Sequence, residues 1–415
     1  MKKIYIFGVG KGKDIVRQCI REGETELTGY IDNAADCYSQ GVDGLPVLHL
    51  GEIVDDYDYI IISVMQYQDI LQQLIENGIK GSRIIKFFDM EDTLNPIFWA
   101  ALDKNSWQLE VLMYTYRNTT FYSQQNLRYE IADSIRKEEF VFPTILPAPE
   151  AIDRICAERA SLVRFGDGEF SLMKMQQRAK YQETDGELAR RLQEVLHANV
   201  DNLLVAIADI YGSLERFTES AAEAVRHYLT PDVRAEHMEL LELDRTYYDA
   251  LLSRPYVMLK DKEKAGERFE SLKRIWEGRD VVIIEGSRTR MGVGNNLFDN
   301  ALSVCRIIAP SENAFRRYAD ILDTALTMEK EKLILISLGP TAKILTYDLC
   351  SAGYQAVDIG HLDIEYEWFL RGVRERCNIP YKYVQEVRNG EIVADNMEAA
   401  ELAIYQSQIL AVIDE

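Results

Sequence analysis

Residues 161–170 read Ser-Leu-Val-Arg-Phe-Gly-Asp-Gly-Glu-Phe, an apolar run that ends in two carboxylates, Asp167 and Glu169, on a glycine-flanked turn. Oxygen donors held on a tight loop just past a strand suit a divalent cation that also touches a phosphate-bearing ligand. Two bare carboxylates would repel a diphosphate, and a bridging ion reverses that sign. Mn2+ and Mg2+ both suit such donors, and the residues do not choose between them. A turn with Asp167 as cap of a helix starting near Phe170 explains the same letters.

Three other segments carry complementary chemistry. Residues 285–296 read Glu-Gly-Ser-Arg-Thr-Arg-Met-Gly-Val-Gly-Asn-Asn. Gly292 and Gly294 allow close backbone approach, and Arg288 and Arg290 can give charge-assisted hydrogen bonds to phosphate oxygens. A surface loop capped by Asn295 or Asn296 is the plainer account. Gly339-Pro340-Thr341 precedes a helical pattern in which Ile344, Leu345, Tyr347 and Leu349 are expected to face inward, so free backbone amides there favour an anion. An ordinary strand-to-helix turn has the same residues. Finally, His361 to Trp368 alternate polar and apolar side chains. An extended chain would put His361, Asp363, Glu365 and Glu367 on one face; a helix would pair His361 with Glu365 and Asp363 with Glu367. Either gathering suits general-base work, acceptor-hydroxyl binding or metal support. His49, His197, His227 and His237 lie in contexts expected to be structural or exposed.

These segments need strands to carry them. Apolar runs at 162–165, 281–284, 304–309, 333–338 and 356–359 each pass into a polar or glycine-containing loop. In open α/β sheets the carboxyl ends of the strands define the ligand crevice, so five such loops point to one site. The N-terminal region has the outline of a nucleotide-binding βαβ unit: a strand at 4–7, the glycines Gly8, Gly10 and Gly12, a helix at about 14–22, and a second strand leading to Asp32, placed for a ribose hydroxyl. Lys13 stands where the third glycine belongs, and a packing or oligomerisation domain is an equal reading. Further strands are expected at 59–64 and 83–87. Between residues 91 and 140 Ile97, Trp99, Leu102, Trp107, Leu109, Leu112 and Tyr116 have helical spacing, and Pro143, Pro147 and Pro149 break it. The expected organisation is an N-terminal domain over 1–90, a helical linker over 91–144 and a larger domain over 145–415.

The chain of 415 residues is 47% hydrophobic and 28% charged, with a formal charge of -21. That balance argues against nucleic acid or an anionic membrane surface as main partner. Cys19, Cys37, Cys156, Cys305, Cys350 and Cys377 form no Cys-x-x-Cys pair, which points to reduced thiols rather than a zinc site or disulfide framework. No apolar run is long enough to span a bilayer, and a soluble, cytoplasmic protein is expected.

The segments Arg164-Phe-Gly-Asp-Gly-Glu169, Ser253-Arg-Pro-Tyr256, Glu285-Gly-Ser-Arg288 with Gly292-Val-Gly-Asn295, Asn313-Ala-Phe315, Leu338-Gly-Pro-Thr341 and Asp358-Ile-Gly-His-Leu-Asp-Ile-Glu-Tyr-Glu-Trp368 occur in this order. Together they resemble the metal-dependent glycosyltransferases of the GT-D fold type, first catalogued as a domain of unknown function, from about residue 145 onward. The resemblance implies a Rossmann-like α/β domain that binds a nucleoside-diphosphate sugar, most often a UDP-sugar. Asp167 and Glu169 would engage Mn2+ or Mg2+ and the diphosphate. Arg164, Gly166, Arg254, Glu285, Ser287, Arg288, Gly292, Gly294, Asn295, Asn313, Gly339, Pro340 and Thr341 would surround the nucleotide sugar. His361, Asp363, Glu365 and Glu367 would lie towards sugar and acceptor as catalytic residues. The implied acceptor is a hydroxyl of a glycan, a lipid-linked molecule or a glycoprotein in bacterial surface glycan synthesis, and a homo-oligomer is left open. The N-terminal unit looks like the nucleotide-sugar-binding Rossmann-like domains attached to bacterial sugar-modifying enzymes. Two other readings stand beside this one: a non-catalytic nucleotide-sugar-binding scaffold, and an NAD-dependent sugar-nucleotide oxidoreductase, which lacks a Tyr-x-x-x-Lys arrangement after the glycine loop.

Overall fold

A computed structural model describes residues 1–65, 67–134, 140–176, 182–384, 386–387, 390, 393 and 399–414. The chain divides into two units, Met1–Tyr122 and Ser123–Glu415, so the stretch expected as a linker is shared between them. The α/β class expected from the sequence is the class observed. Among the described residues no helix is long and apolar enough to cross a membrane.

The first unit holds a parallel sheet of β1 (Lys2–Phe7), β2 (Thr25–Ile31), β3 (Val47–Leu48), β4 (Tyr59–Ile62) and β5 (Ile84–Lys86), in the order β3-β2-β1-β4-β5. Ile4 and Ile6 enter one core and Tyr5 and Phe7 the other, which is why β1 is apolar without alternation. The helix after the glycine loop runs Lys11–Gln18, earlier than the spacing predicts, because Gly10 already takes the cap position. Gly12 is required by packing: a Cβ there would lie 1.8 Å from the Ser63 carbonyl oxygen. Asp32 accepts the Val9 N–H at 3.1 Å, closing the loop on itself, and Lys13 is buried with its ammonium on Asp14 and Asp43. The expected apolar stripe breaks after Leu102, which is extended; Asp103 then caps a new helix, Lys104–Thr115. The helical phase resets there, so Trp107 and Val111 point inward while Leu109, Leu112 and Tyr116 are exposed.

The second unit is built, among the described residues, on a nine-stranded sheet of β6 (Thr144–Leu146), β7 (Ser161–Phe165), β8 (Leu203–Ile207), β9 (Thr246–Asp249), β10 (Asp280–Gly286), β11 (Ser303–Ala309), β12 (Leu333–Ser337), β13 (Gln355–Asp358) and β14 (Ile409–Val412). Its order is β14-β11-β10-β12-β13-β7-β8-β9-β6, with every pairing parallel. Val357 opposite Leu162 joins the two halves, and Ile283 sits between Arg306 and Leu335. Along β10, Val281 and Ile283 enter one core while Val282 and Ile284 enter the other. All five strands read from the sequence in this region are present, with β6, β8, β9 and β14 in addition.

Candidate active site in the second unit

The carboxyl ends of β7, β8, β9, β10, β11, β12 and β13 open into one cleft of ≈ 590 Å³. Parallel strands direct their following loops to one edge of the sheet, so residues far apart in sequence meet there. The cleft lining is polar at Asp167, Arg254, Thr289, Ser311 and His361 and apolar at Ala208, Ile210, Val225 and Leu251, from the ends of β8 and β9 and the helix Glu219–Tyr228.

The carboxylate pair is divided between two tasks. Gly166 caps a short helix, Asp167–Met173, and Glu169 turns back to accept the Gly166 N–H at 2.9 Å. The other Glu169 oxygen is 2.9 Å from Lys343 Nζ, and Glu169 is buried. Lys343 also pairs with Asp358 at 3.1 Å, and Asp358 pairs with Arg164 at 2.8 Å. Burial pushes the Asp358 carboxyl up, but Arg164 and Lys343 outweigh it and hold the group below the usual carboxylate range. The Arg164 guanidinium is further tied to Ser253 Oγ at 2.6 Å and the Ala250 carbonyl at 3.3 Å. Gly360 makes room for it, since its φ is +42° and a Cβ would lie 1.9 Å from Arg164 Nη2. Asp167, by contrast, is exposed on the cleft wall near the charge of Arg254. Among the described residues no group of three or more His, Cys, Asp or Glu is gathered to cage an ion. With both Glu169 oxygens taken up, Asp167 is the member of the pair that could hold a cation, and such an ion would draw its other ligands from phosphate oxygens and water.

The 285–296 loop is mostly scaffolding. Glu285 is fully buried, accepts the Met291 N–H at 2.7 Å and pairs with Arg306 at 2.5 Å, and burial pushes its carboxyl up. Gly292 N–H and Asn295 Nδ2 donate to Asp363 at 2.9 and 2.8 Å, and Asn295 also donates to Glu367 at 2.7 Å. Gly292 and Gly294 have positive φ, and a Cβ at Gly292 would meet Phe298 at 2.4 Å. Ser287 Oγ and the Arg288 N–H meet Ser311 Oγ, and the Arg288 side chain donates to Glu312. In this loop the cleft is lined by Gly286, Thr289 and Met291, whereas Glu285, Ser287, Arg288, Gly292, Gly294 and Asn295 do not line it. Asn313 and Gly339 do reach the wall, both with positive φ, whereas Pro340 and Thr341 start the helix Thr341–Ser351 behind it.

The alternating segment is a helix, Leu362–Leu370, with His361 at its cap. Every residue from Leu362 to Trp368 is buried, so the two-residue alternation marks no solvent face. Asp363 and Glu367, one turn apart, clamp Lys382: its Nζ donates to Asp363 at 3.0 and 2.8 Å and to Glu367 at 3.1 Å. Glu365 accepts the Tyr256 and Val257 N–H groups at 3.1 and 2.8 Å, and burial pushes its carboxyl up. His361 and Asp363 line the cleft; Glu365 and Glu367 do not, which corrects the expectation that all four face it. His361 is pushed down to about 4 by burial, with Arg254, Arg164 and Lys343 adding to it against the pull of Glu386. These surroundings favour the neutral imidazole. Lys343, Asp358, Arg376, Tyr383 and Glu386 also line the cleft without having been singled out as site residues. Lys343 had one visible signal, its place in the first turn of the helix after Gly-Pro-Thr; Glu386 had none.

Residues 162–387, more than half of the chain, match the glycosyltransferase GT-D fold family. The chain belongs to that family. The chain is 37% identical over 269 residues to a protein named probable glycosyl transferase Gly from Streptococcus gordonii, and 37% identical over 263 residues to glycosyltransferase GlyD from Streptococcus pneumoniae serotype 4. These matches take in 65% and 63% of this chain but only 38% and 31% of those relatives' own lengths. Among solved structures, the domain of unknown function 1792, described as having a distinct glycosyltransferase fold, superposes with a TM-score of 0.61 at 36% identity, covering 69% of this chain and 100% of that one. A glycosyltransferase of the same domain type from Streptococcus sanguinis gives 0.60 at 35% identity, covering 66% and 100%. Residues 1–85, outside the GT-D match, fit the C2185-like N-terminal family.

Proposed function

We propose that the protein transfers a sugar from a nucleoside-diphosphate sugar, a UDP-sugar, to a hydroxyl of a glycan or glycoprotein acceptor, with Mn2+ or Mg2+ bound at Asp167. The observation that carries this reading is the polar cleft wall, where exposed Asp167 stands beside Arg254 at the convergence of seven strand ends in a GT-D domain. Arg254 opposes the charge of the diphosphate as it departs. The Glu169, Lys343, Asp358 and Arg164 network underlies the 166–169 turn and fixes where Asp167 points. When bound, the cation supplies positive charge to the leaving diphosphate. His361, neutral and on the wall, takes the acceptor's proton.

The test is Asp167→Asn. Asp167 is exposed, so the variant folds as the parent does, while Mn2+-dependent binding of UDP, read by calorimetry, drops by about 10²-fold or more together with release of UDP from a UDP-sugar. Undiminished Mn2+-dependent binding in the variant, or transfer that needs no cation, overturns the proposal.

A further inference from the structure

Among the described residues five carboxylates line the cleft: Asp167, Glu169, Asp358, Asp363 and Glu386. Glu169 and Asp358 are committed to Lys343 and Arg164, and Asp363 to Lys382, Asn295 and the Gly292 N–H. Asp167 is the proposed cation ligand. Glu386 remains, and its Oε1 lies 3.9 Å from His361 Nε2. Its place is built rather than accidental. Four residues before it, fully buried Lys382 is anchored on Asp363 and Glu367, and the Tyr383 N–H donates to the Arg288 carbonyl at 3.0 Å. Arg254 pairs with this same Oε1, and Arg376 holds Oε2 at 3.3 Å.

We propose that Glu386 is the positioning residue of His361: it holds the imidazole towards the acceptor and balances the positive charge that forms when His361 takes the acceptor's proton. This rests on the reading of His361 as the base. In the step, the acceptor oxygen forms a bond to the sugar's anomeric carbon, and the bond from that carbon to the diphosphate oxygen breaks. The diphosphate leaves with the bonding pair, the acceptor proton passes to the imidazole, and solvent later removes it. The charged groups around His361 make the need for an anion plain. Arg254, Arg164 and Lys343 all oppose a proton on the ring, and Glu386 is the neighbour that favours one. Glu365, on the following helix, is turned to the Tyr256 and Val257 amides and lies off the cleft wall.

The experiment is a double-mutant cycle of Glu386→Gln and His361→Asn, with Glu386→Asp as the variant that keeps the charge. Each is assayed for UDP release with whichever of UDP-glucose, UDP-galactose and UDP-N-acetylglucosamine the parent turns over with a methyl glycoside acceptor. Expected results are a fall in kcat of about 10²-fold for Glu386→Gln with donor KM within about threefold, partial recovery in Glu386→Asp, and no further loss when Glu386→Gln is added to His361→Asn. NMR titration of the His361 ring should show its midpoint moving to lower pH in Glu386→Gln and back in Glu386→Asp. A raised donor KM with unchanged kcat would mean that Glu386 serves Arg254 instead, and additive losses would break the pair; either overturns the proposal. Full activity in His361→Asn sinks the base itself, whereas a loss there with full activity in Glu386→Gln sinks only the role of Glu386.

Discussion

Replacing Lys382 with methionine tests whether the clamp beneath the cleft is what holds this site together. The ammonium is fully buried and makes three charge-assisted hydrogen bonds, two to Asp363 and one to Glu367, both themselves buried. Methionine keeps the length of the side chain and removes the charge, leaving two interior carboxylates with Asn295, the Gly292 N–H and the partly exposed Arg371. Removing one partner of a buried ion pair costs about 3–5 kcal/mol, a large share of the roughly 5–15 kcal/mol that holds a typical protein folded. The cost should depend on pH with a definite sign. Burial alone would raise the Glu367 carboxyl, but Lys382 and Asn295 outweigh it and hold the group below its ordinary value. In the parent that contribution is present above the unfolded value of about 4.3 and is lost as pH falls through the lower folded value. Lys382→Met has no such contribution to lose, so the gap between the two proteins narrows on acidification. Urea unfolding followed by tryptophan fluorescence reads both, because Trp368 is buried on the same helix as the two acids. A loss below about 1 kcal/mol at neutral pH, or a gap that stays constant as pH is taken well below about 4, refutes the clamp.

Gly360→Ala should cost at least about 2 kcal/mol in the same assay, since the new methyl displaces the Arg164 guanidinium from Asp358 and the residue keeps a positive φ. Gly168→Ala, where a Cβ meets nothing within 4 Å in a helix, should change stability by no more than about 1 kcal/mol, in the stabilising direction; equal losses in both would show that the close approach is not what matters. The acid limb of kcat/KM should fall near the His361 value of about 4, with activity rising as pH climbs through it and flat up to neutrality. A limb centred near the ordinary histidine value of about 6.5 would mean that the imidazole is not held neutral by its surroundings.

The strands were legible wherever a buried apolar run ends in a glycine or small polar loop, as β7, β10, β11, β12 and β13 do. Leu203 to Ile207 in β8 are just as buried, but a short apolar run with no such punctuation reads equally as helix, and β6 and β14 are edge strands of three and four residues. Within the site, residues placed by a strand end could be found in the sequence: Asp167, Asn313, Gly339 and His361 all line the cleft. What could not be read was which carboxylates are already spoken for. Asp167 and Glu169 look equivalent in Asp-Gly-Glu, and it is the ion pair with Lys343, from the first turn of the helix Thr341–Ser351, together with the Gly166 N–H, that ties down Glu169 and leaves Asp167 exposed. Likewise Asp363, Glu365 and Glu367 share a pattern with His361, yet Lys382 and the Tyr256 and Val257 amides turn them into interior supports. Long-range ion pairs therefore decide the chemistry here, because each one withdraws a charge from the cleft. On its lining Asp167 is exposed, while Glu386, paired with Arg254 and Arg376, lies beside His361, so the proposed cation and base roles fall to Asp167 and His361 rather than to the whole carboxylate pattern.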